Sequence, residues 1–156
     1  MTGVQTCALP IYARLIRCLH KKVDDRAMGS ECKKEVRRNM NRMAQDYRLN
    51  FRLQKACAAD VSTMCSDACA PYLGQACGGS VLRCLQDKMD TIVNEDCRTE
   101  VFYFVKMEVT DFRNDVMLAE ACRTDVDSFC KDIEAGEGRV LECLREHRCE
   151  IGRAHV

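Results

Sequence analysis

Between Val36 and Tyr47 the apolar side chains fall at Val36, Met40, Met43, Ala44 and Tyr47, the i, i+4, i+7, i+8, i+11 rhythm of a helix with one buried stripe. Sixty-five residues later the same face reads Val101, Val105, Val109 and Phe112, with Glu108 where the second methionine stood. A second helix is predicted over Leu53, Cys57, Val61, Met64 and Cys65, and again over Leu118, Cys122, Val126, Phe129 and Cys130. A third, shorter helix is predicted around Ser80 to Met89 and Arg139 to His147, through the shared pairs Cys84-Leu85 and Cys143-Leu144. Ile16, Cys18 and Leu19 fit the remnant of one more such helix.

The period extends beyond apolar positions. Asp46-Tyr47-Arg48, Leu53, Ala56-Cys57, Asp60-Val61 and Cys65 return as Asp111-Phe112-Arg113, Leu118, Ala121-Cys122, Asp125-Val126 and Cys130. A fixed period of this size is the mark of one supersecondary unit used repeatedly. The expected fold is all-α, built of tandem disulfide-stapled helical repeats of about 60–65 residues. The expected division is the end of a truncated repeat at 13–48, a complete repeat at 49–113 and a truncated repeat at 114–150. Residues 1–12 and 151–156 are set apart. Met1 to Ile11 and Ile151 to Val156 read as translations of the two complementary strands of a sequencing-library adapter, so Cys7 and His155 carry no chemistry here. On this reading the chain is a piece of a longer protein.

Thirteen cysteines in 156 residues is a density of the secretory pathway or cell exterior, not of the cytosol. No Cys-x-x-Cys pair occurs, and His20 and His147 sit beside Cys18 and Cys143 without pairing with each other, so disulfides are expected and no metal or other cofactor is. Helical phase restricts the pairing. Cys57 and Cys65 lie eight residues apart on one helix, about 12 Å along its axis. A disulfide needs Cα atoms within about 7 Å, so each must reach a neighbouring helix. The expected scheme joins Cys65 to Cys84, Cys57 to Cys97 and Cys130 to Cys143, with Cys69 and Cys77 closing a loop of their own. Cys18, Cys32 and Cys122 then lack partners, and Cys149 has no counterpart.

Charge divides along the chain. Arg14 to Lys55 holds 13 Lys and Arg against 5 Asp and Glu, and Ala56 to Glu150 holds 10 against 19. Such an imbalance arises from solvated helix faces, or it offers an acidic face to basic proteins, since surface charge speeds encounter and biases partner choice. Lys33, Lys34, Arg37, Arg38 and Arg42 surround a helix outside its apolar stripe, which reads as a solvated face, and nucleic-acid binding is not expected. Gly74, Gly78 and Gly79, like Gly136 and Gly138, read as a turn and helix start, because no strand or Lys-Ser/Thr ending accompanies them as a phosphate cradle requires. No apolar run is long enough to span a bilayer, and no Asn-x-Ser/Thr acceptor is present.

The elements Ala56-Cys57-x-x-Asp60-Val61-x-x-x-Cys65, Gly136-x-Gly138-Arg139-Val140-x-x-Cys143-Leu144 and Cys32-Lys33-Lys34-Glu35-Val36 together resemble the cysteine-rich repeat of the Golgi apparatus protein 1 family. That family is also known as the cysteine-rich fibroblast growth factor receptor or E-selectin ligand. The resemblance implies a type I Golgi membrane sialoglycoprotein with many luminal repeats, which binds fibroblast growth factors or other secreted basic proteins and is anchored by a segment absent from this stretch. It defines no ligand-contact residue. The leading functional expectation is therefore a non-enzymatic luminal binding module, at the Golgi membrane or the cell surface. The alternatives are a structural spacer and a secretory-pathway thiol oxidoreductase using Cys65-x-x-x-Cys69.

Overall fold

In the computed structural model, which describes residues 5–72 and 77–154, with side chains at 11–70 and 77–151, helices occupy the segments that carry the 3.6-residue rhythm. They are α1 (Gln5–Lys21), α2 (Ser30–Gln45), α3 (Phe51–Met64), α4 (Ser80–Asp87), α5 (Glu95–Thr110), α6 (Val116–Ala121), α7 (Arg123–Phe129), α8 (Arg139–Glu146) and α9 (Arg148–Ala154). Among the described residues there is no strand, and the fold is all-α. The Cys7 side chain, Gly74 and His155 lie outside the described residues.

Polar side chains start three of these helices. The Asn50 side chain accepts hydrogen bonds from the Arg52 and Leu53 N–H groups, Asn94 from those of Asp96 and Cys97, and Asp115 from that of Leu118, satisfying donors that a helix start leaves orphaned. The repeated Asp-x-Arg motif performs one task twice. Asp46 closes α2 and Asp111 closes α5, and each carboxylate takes the backbone N–H and the guanidinium of the arginine two residues on, turning the chain through a 3₁₀ turn into the next helix. The Arg48 guanidinium holds the Asp46 carboxyl below the usual carboxylate range.

The larger core gathers α2 to α5 around Leu53, Val81, Leu85, Val101 and Phe104, all nearly or wholly inaccessible. A smaller one joins Phe112, Cys130, Val140 and Cys143. Two expectations need correction. The buried face of α5 is Cys97, Glu100, Val101, Phe104 and Met107, whereas Val105 is half-buried and Val109 is 61% exposed. The shift by 65 residues assumed that α5 sits in the surroundings of α2, but α5 is packed by α3 and α4 and touched by side chains of α1, which turns a different stripe inward. The second helix of the later repeat is also divided, into α6 and α7 at Cys122. Its counterpart α3 runs unbroken because α5 lies along it and is bonded to it at Cys57, and among the described residues no such helix is bonded at Cys122. The third helices end at Asp87 and Glu146, slightly short of the expected Met89 and His147.

Candidate binding surface

The eight cysteines proposed as bonded meet as four pairs. Cys57–Cys97 ties α3 to α5 with Cα atoms 4.8 Å apart. Cys65–Cys84 ties the end of α3 to α4 at 6.0 Å, and Cys130–Cys143 repeats that tie between α7 and α8 at 6.1 Å. Cys69–Cys77 closes the intervening loop at 5.0 Å. Each separation lies in the range a disulfide spans without backbone displacement. Cys65 and Cys69 therefore do not form the reactive pair that thiol exchange would use. Cys18, Cys32 and Cys122 carry free thiols, and burial pushes the Cys122 thiol up, aided by the carboxylates of Asp125 and Asp115, opposite to what a reactive cysteine needs.

Glycine pins the start of each third helix. Gly79 has φ +81° and its N–H donates to the Gln45 carbonyl, and Gly138 has φ +73° and its N–H donates to that of Thr110. Gln45 and Thr110 are the last residues of α2 and α5, so both loops return to the same point of the framework. Both φ values lie in the left-handed region that glycine adopts without strain.

Beside this frame lies a polar cluster that the sequence reading did not single out. Glu100 is 4% exposed, and one carboxylate oxygen receives Arg17 at 2.6 Å and Arg52 at 2.8 Å. Arg17 also lies over the Tyr103 ring, 4.1 Å from its centroid. The buried His20 spans Tyr103 and Asn39. With the Asn39 Oδ1 as acceptor, Nε2 carries the proton and Nδ1 accepts from the Tyr103 hydroxyl. Burial lowers the His20 pKa and pushes Tyr103 up to about 12, so both remain neutral and the network ties α1, α2 and α5 together. The signal available in the sequence was a carboxylate at Glu100 set among Cys97, Val101 and Phe104, since a charge on an apolar stripe requires a partner.

Glu108 is half-buried, and both its oxygens receive the Gln86 amide of α4 at 2.8 Å. Burial pushes its pKa up to about 7, over the opposing pull of Gln86. Because the folded value stands above the ordinary 4.5, the folded chain holds a proton that the unfolded chain releases. That contribution is complete below about pH 4.5 and is lost as pH rises through about 7. Glu108→Gln is therefore expected to raise stability at about pH 8 by about 1 kcal/mol, allowing for solvent screening, and to change little at about pH 4. Urea titrations of both chains at the two pH values decide this, and an equal effect at both contradicts it.

Charge is displayed outward. Of the 19 acidic side chains between Ala56 and Glu150, 13 are exposed. Glu95, Glu120 and Glu142 pair with an arginine three residues on, but Asp90, Asp96, Asp127, Asp132 and Glu146 make no ion pair among the described residues. The basic run of α2 faces a cleft of about 740 Å³, whose opposite wall is residues 111–127. That cleft holds Lys33, Arg37 and Arg123 together with Asp111, Glu120 and Asp127, and Arg37 is paired with Asp24 at 2.9 Å, so it is not a uniform anion groove. Among the described residues no three His, Cys, Asp or Glu side chains gather as a metal site, and no helix is long and apolar enough to cross a membrane.

A family model described as a cysteine rich repeat matches residues 30–93 and 95–151. Golgi apparatus protein 1 of Gallus gallus is 32% identical over 136 residues, 87% of this chain and 12% of that protein. The Homo sapiens protein of that name is 32% identical over 136 residues, 11% of its length, and a Caenorhabditis elegans homolog is 30% identical over 121 residues, 10% of its length. The chain thus spans about a tenth of the relatives it matches. No solved structure matches.

Proposed function

Because this chain belongs to the cysteine-rich repeat family, we propose that it is a non-enzymatic luminal binding module of a Golgi membrane protein, holding a basic secreted protein of the fibroblast growth factor class on its acidic half. The observation that carries the reading is the outward display of acidic side chains between Asp67 and Glu150 on a frame fixed by four disulfides. Such a frame keeps charge in place without a large core, so a basic ligand meets a prearranged field, and weak contacts on successive repeats add through effective concentration. Staples that are buried or paired with each other suit this role better than exchange chemistry does.

The test is binding of a purified fibroblast growth factor to the immobilised chain at low and high salt. The expected result is a loss of affinity of at least about tenfold between about 0.05 M and about 0.5 M salt, since the Debye length shrinks below the distance between facing charges. Equal affinity at both would remove the electrostatic basis. No binding at low salt would remove the reading itself.

A further inference from the structure

The seat that α3 occupies exists a second time in this molecule, with no helix in it among the described residues. α3 rests on α4 and α5 and is bonded to each, through Cys65–Cys84 and Cys57–Cys97. Shifted back 65 residues, the five buried positions of α5, namely Cys97, Glu100, Val101, Phe104 and Met107, fall on Cys32, Glu35, Val36, Asn39 and Arg42 of α2. These five line a groove of about 400 Å³ between α1 and α2. Its other wall carries Ile16 and Leu19, which a shift of 66 residues places on Leu82 and Leu85 of α4. Leu82 and Leu85 are 3% and 0% exposed within the larger core, to which α3 also belongs, whereas Ile16 and Leu19 are only half-buried. The two cysteines follow suit. Cys97 and Cys84 are bonded, and of their counterparts, both exposed thiols, Cys32 lines the groove and Cys18 directly precedes the groove residue Leu19. Glu100 takes Arg52 from α3, and its counterpart Glu35 lies exposed.

The geometry points to the α1–α2 groove as a docking seat for one kind of partner, a helix of this repeat's own second type, with two cysteines eight residues apart. The partner's first cysteine bonds Cys32, its second bonds Cys18, and an arginine five residues before the first reaches Glu35. In the matched units, 30–93 and 95–151, the Cys57–Cys97 bridge already runs from one unit to the next, so the seat at Cys32 is the same junction on the other side. Each bridge forms by oxidation of two thiols, and a disulfide such as oxidised glutathione takes up the two electrons. One thiolate attacks it and releases one glutathione, the second thiolate displaces the other, and both protons leave on glutathione thiols. This inference does not depend on the growth-factor reading, since its readout is covalent structure.

The probe is a synthetic peptide of residues 50–65, the sequence of α3 with its cap and both cysteines, incubated with the whole chain in a glutathione buffer. The expected product is a one-to-one adduct lighter than the sum by four hydrogens, with Cys32 joined to the peptide's Cys57 and Cys18 to its Cys65 on peptide mapping. A scrambled peptide keeping both cysteines in place is expected to react at least about tenfold more slowly, because docking supplies effective concentration. Equal rates for the two peptides, exchanged connectivity, attachment at Cys122 or no adduct each overturn the proposal. Leu53→Asp in the peptide keeps both thiols and is expected to slow the reaction as scrambling does.

Discussion

Replacing Cys57 and Cys97 together by alanine is expected to cost about 4 kcal/mol, the largest loss from removal of any one of the four bridges among the described residues. The pair closes a span of 40 residues, against 19 for Cys65–Cys84, 13 for Cys130–Cys143 and 8 for Cys69–Cys77. A longer closed loop removes more conformational freedom from the unfolded chain, and on chain-entropy grounds the same calculation gives about 3 kcal/mol for Cys130–Cys143. Both cysteines are fully inaccessible, so truncation also leaves a void between α3 and α5. Because this bridge joins one matched unit to the next, its loss is expected to broaden or split the unfolding transition as well as lower it. Urea unfolding followed by circular dichroism, set beside the Cys130→Ala/Cys143→Ala chain, measures both effects. A smaller loss for the 57–97 pair than for the 130–143 pair contradicts the expectation.

Phe104→Ala is the single substitution expected to do most damage, about 3–5 kcal/mol. The ring is 0% exposed at the centre of the larger core, on the face of α5 that α3 and α4 enclose, and it meets the Tyr103 ring edge-on. Phe104→Leu keeps most of the volume and is expected to cost about 1–1.5 kcal/mol. Val109→Ala, on the same helix but 61% exposed, is expected to lie within about 0.5 kcal/mol of the parent chain. Thermal unfolding of the three variants tests the orientation of α5 directly. A Val109 variant as damaging as the Phe104 variant would restore the stripe expected from the repeat.

That reversal marks where the sequence was legible and where it was not. The helices, their order and their Asp-x-Arg turns follow from local chemistry, because the 3.6-residue spacing and the capping side chains are properties of neighbouring residues. Which side of α5 is buried depends on how many helices lie against it, and shifting the α2 pattern by 65 residues carried over an environment that α5 does not share. Glu100 escaped notice for a related reason. A carboxylate reads as solvated until Arg17, 83 residues away, and Arg52, 48 residues away, are brought to it. The break at Cys122 left no trace, since α6 and α7 carry almost the same apolar positions as the unbroken α3. The difference is the helix bonded to one and, among the described residues, not to the other.

The hydrogen bonds from Gly79 to Gln45 and from Gly138 to Thr110 bear on how such a protein diversifies. The segments ahead of them differ in length, one holding the extra Cys69–Cys77 bridge and the other none, yet both hand the chain back at an identical latch. Residues can accumulate upstream of the latch without disturbing the scaffold downstream. Each unit thereby keeps one register for its third helix whatever the length of the stretch before it, so an assembly of many units can vary in that stretch from member to member while its helices hold a common spacing.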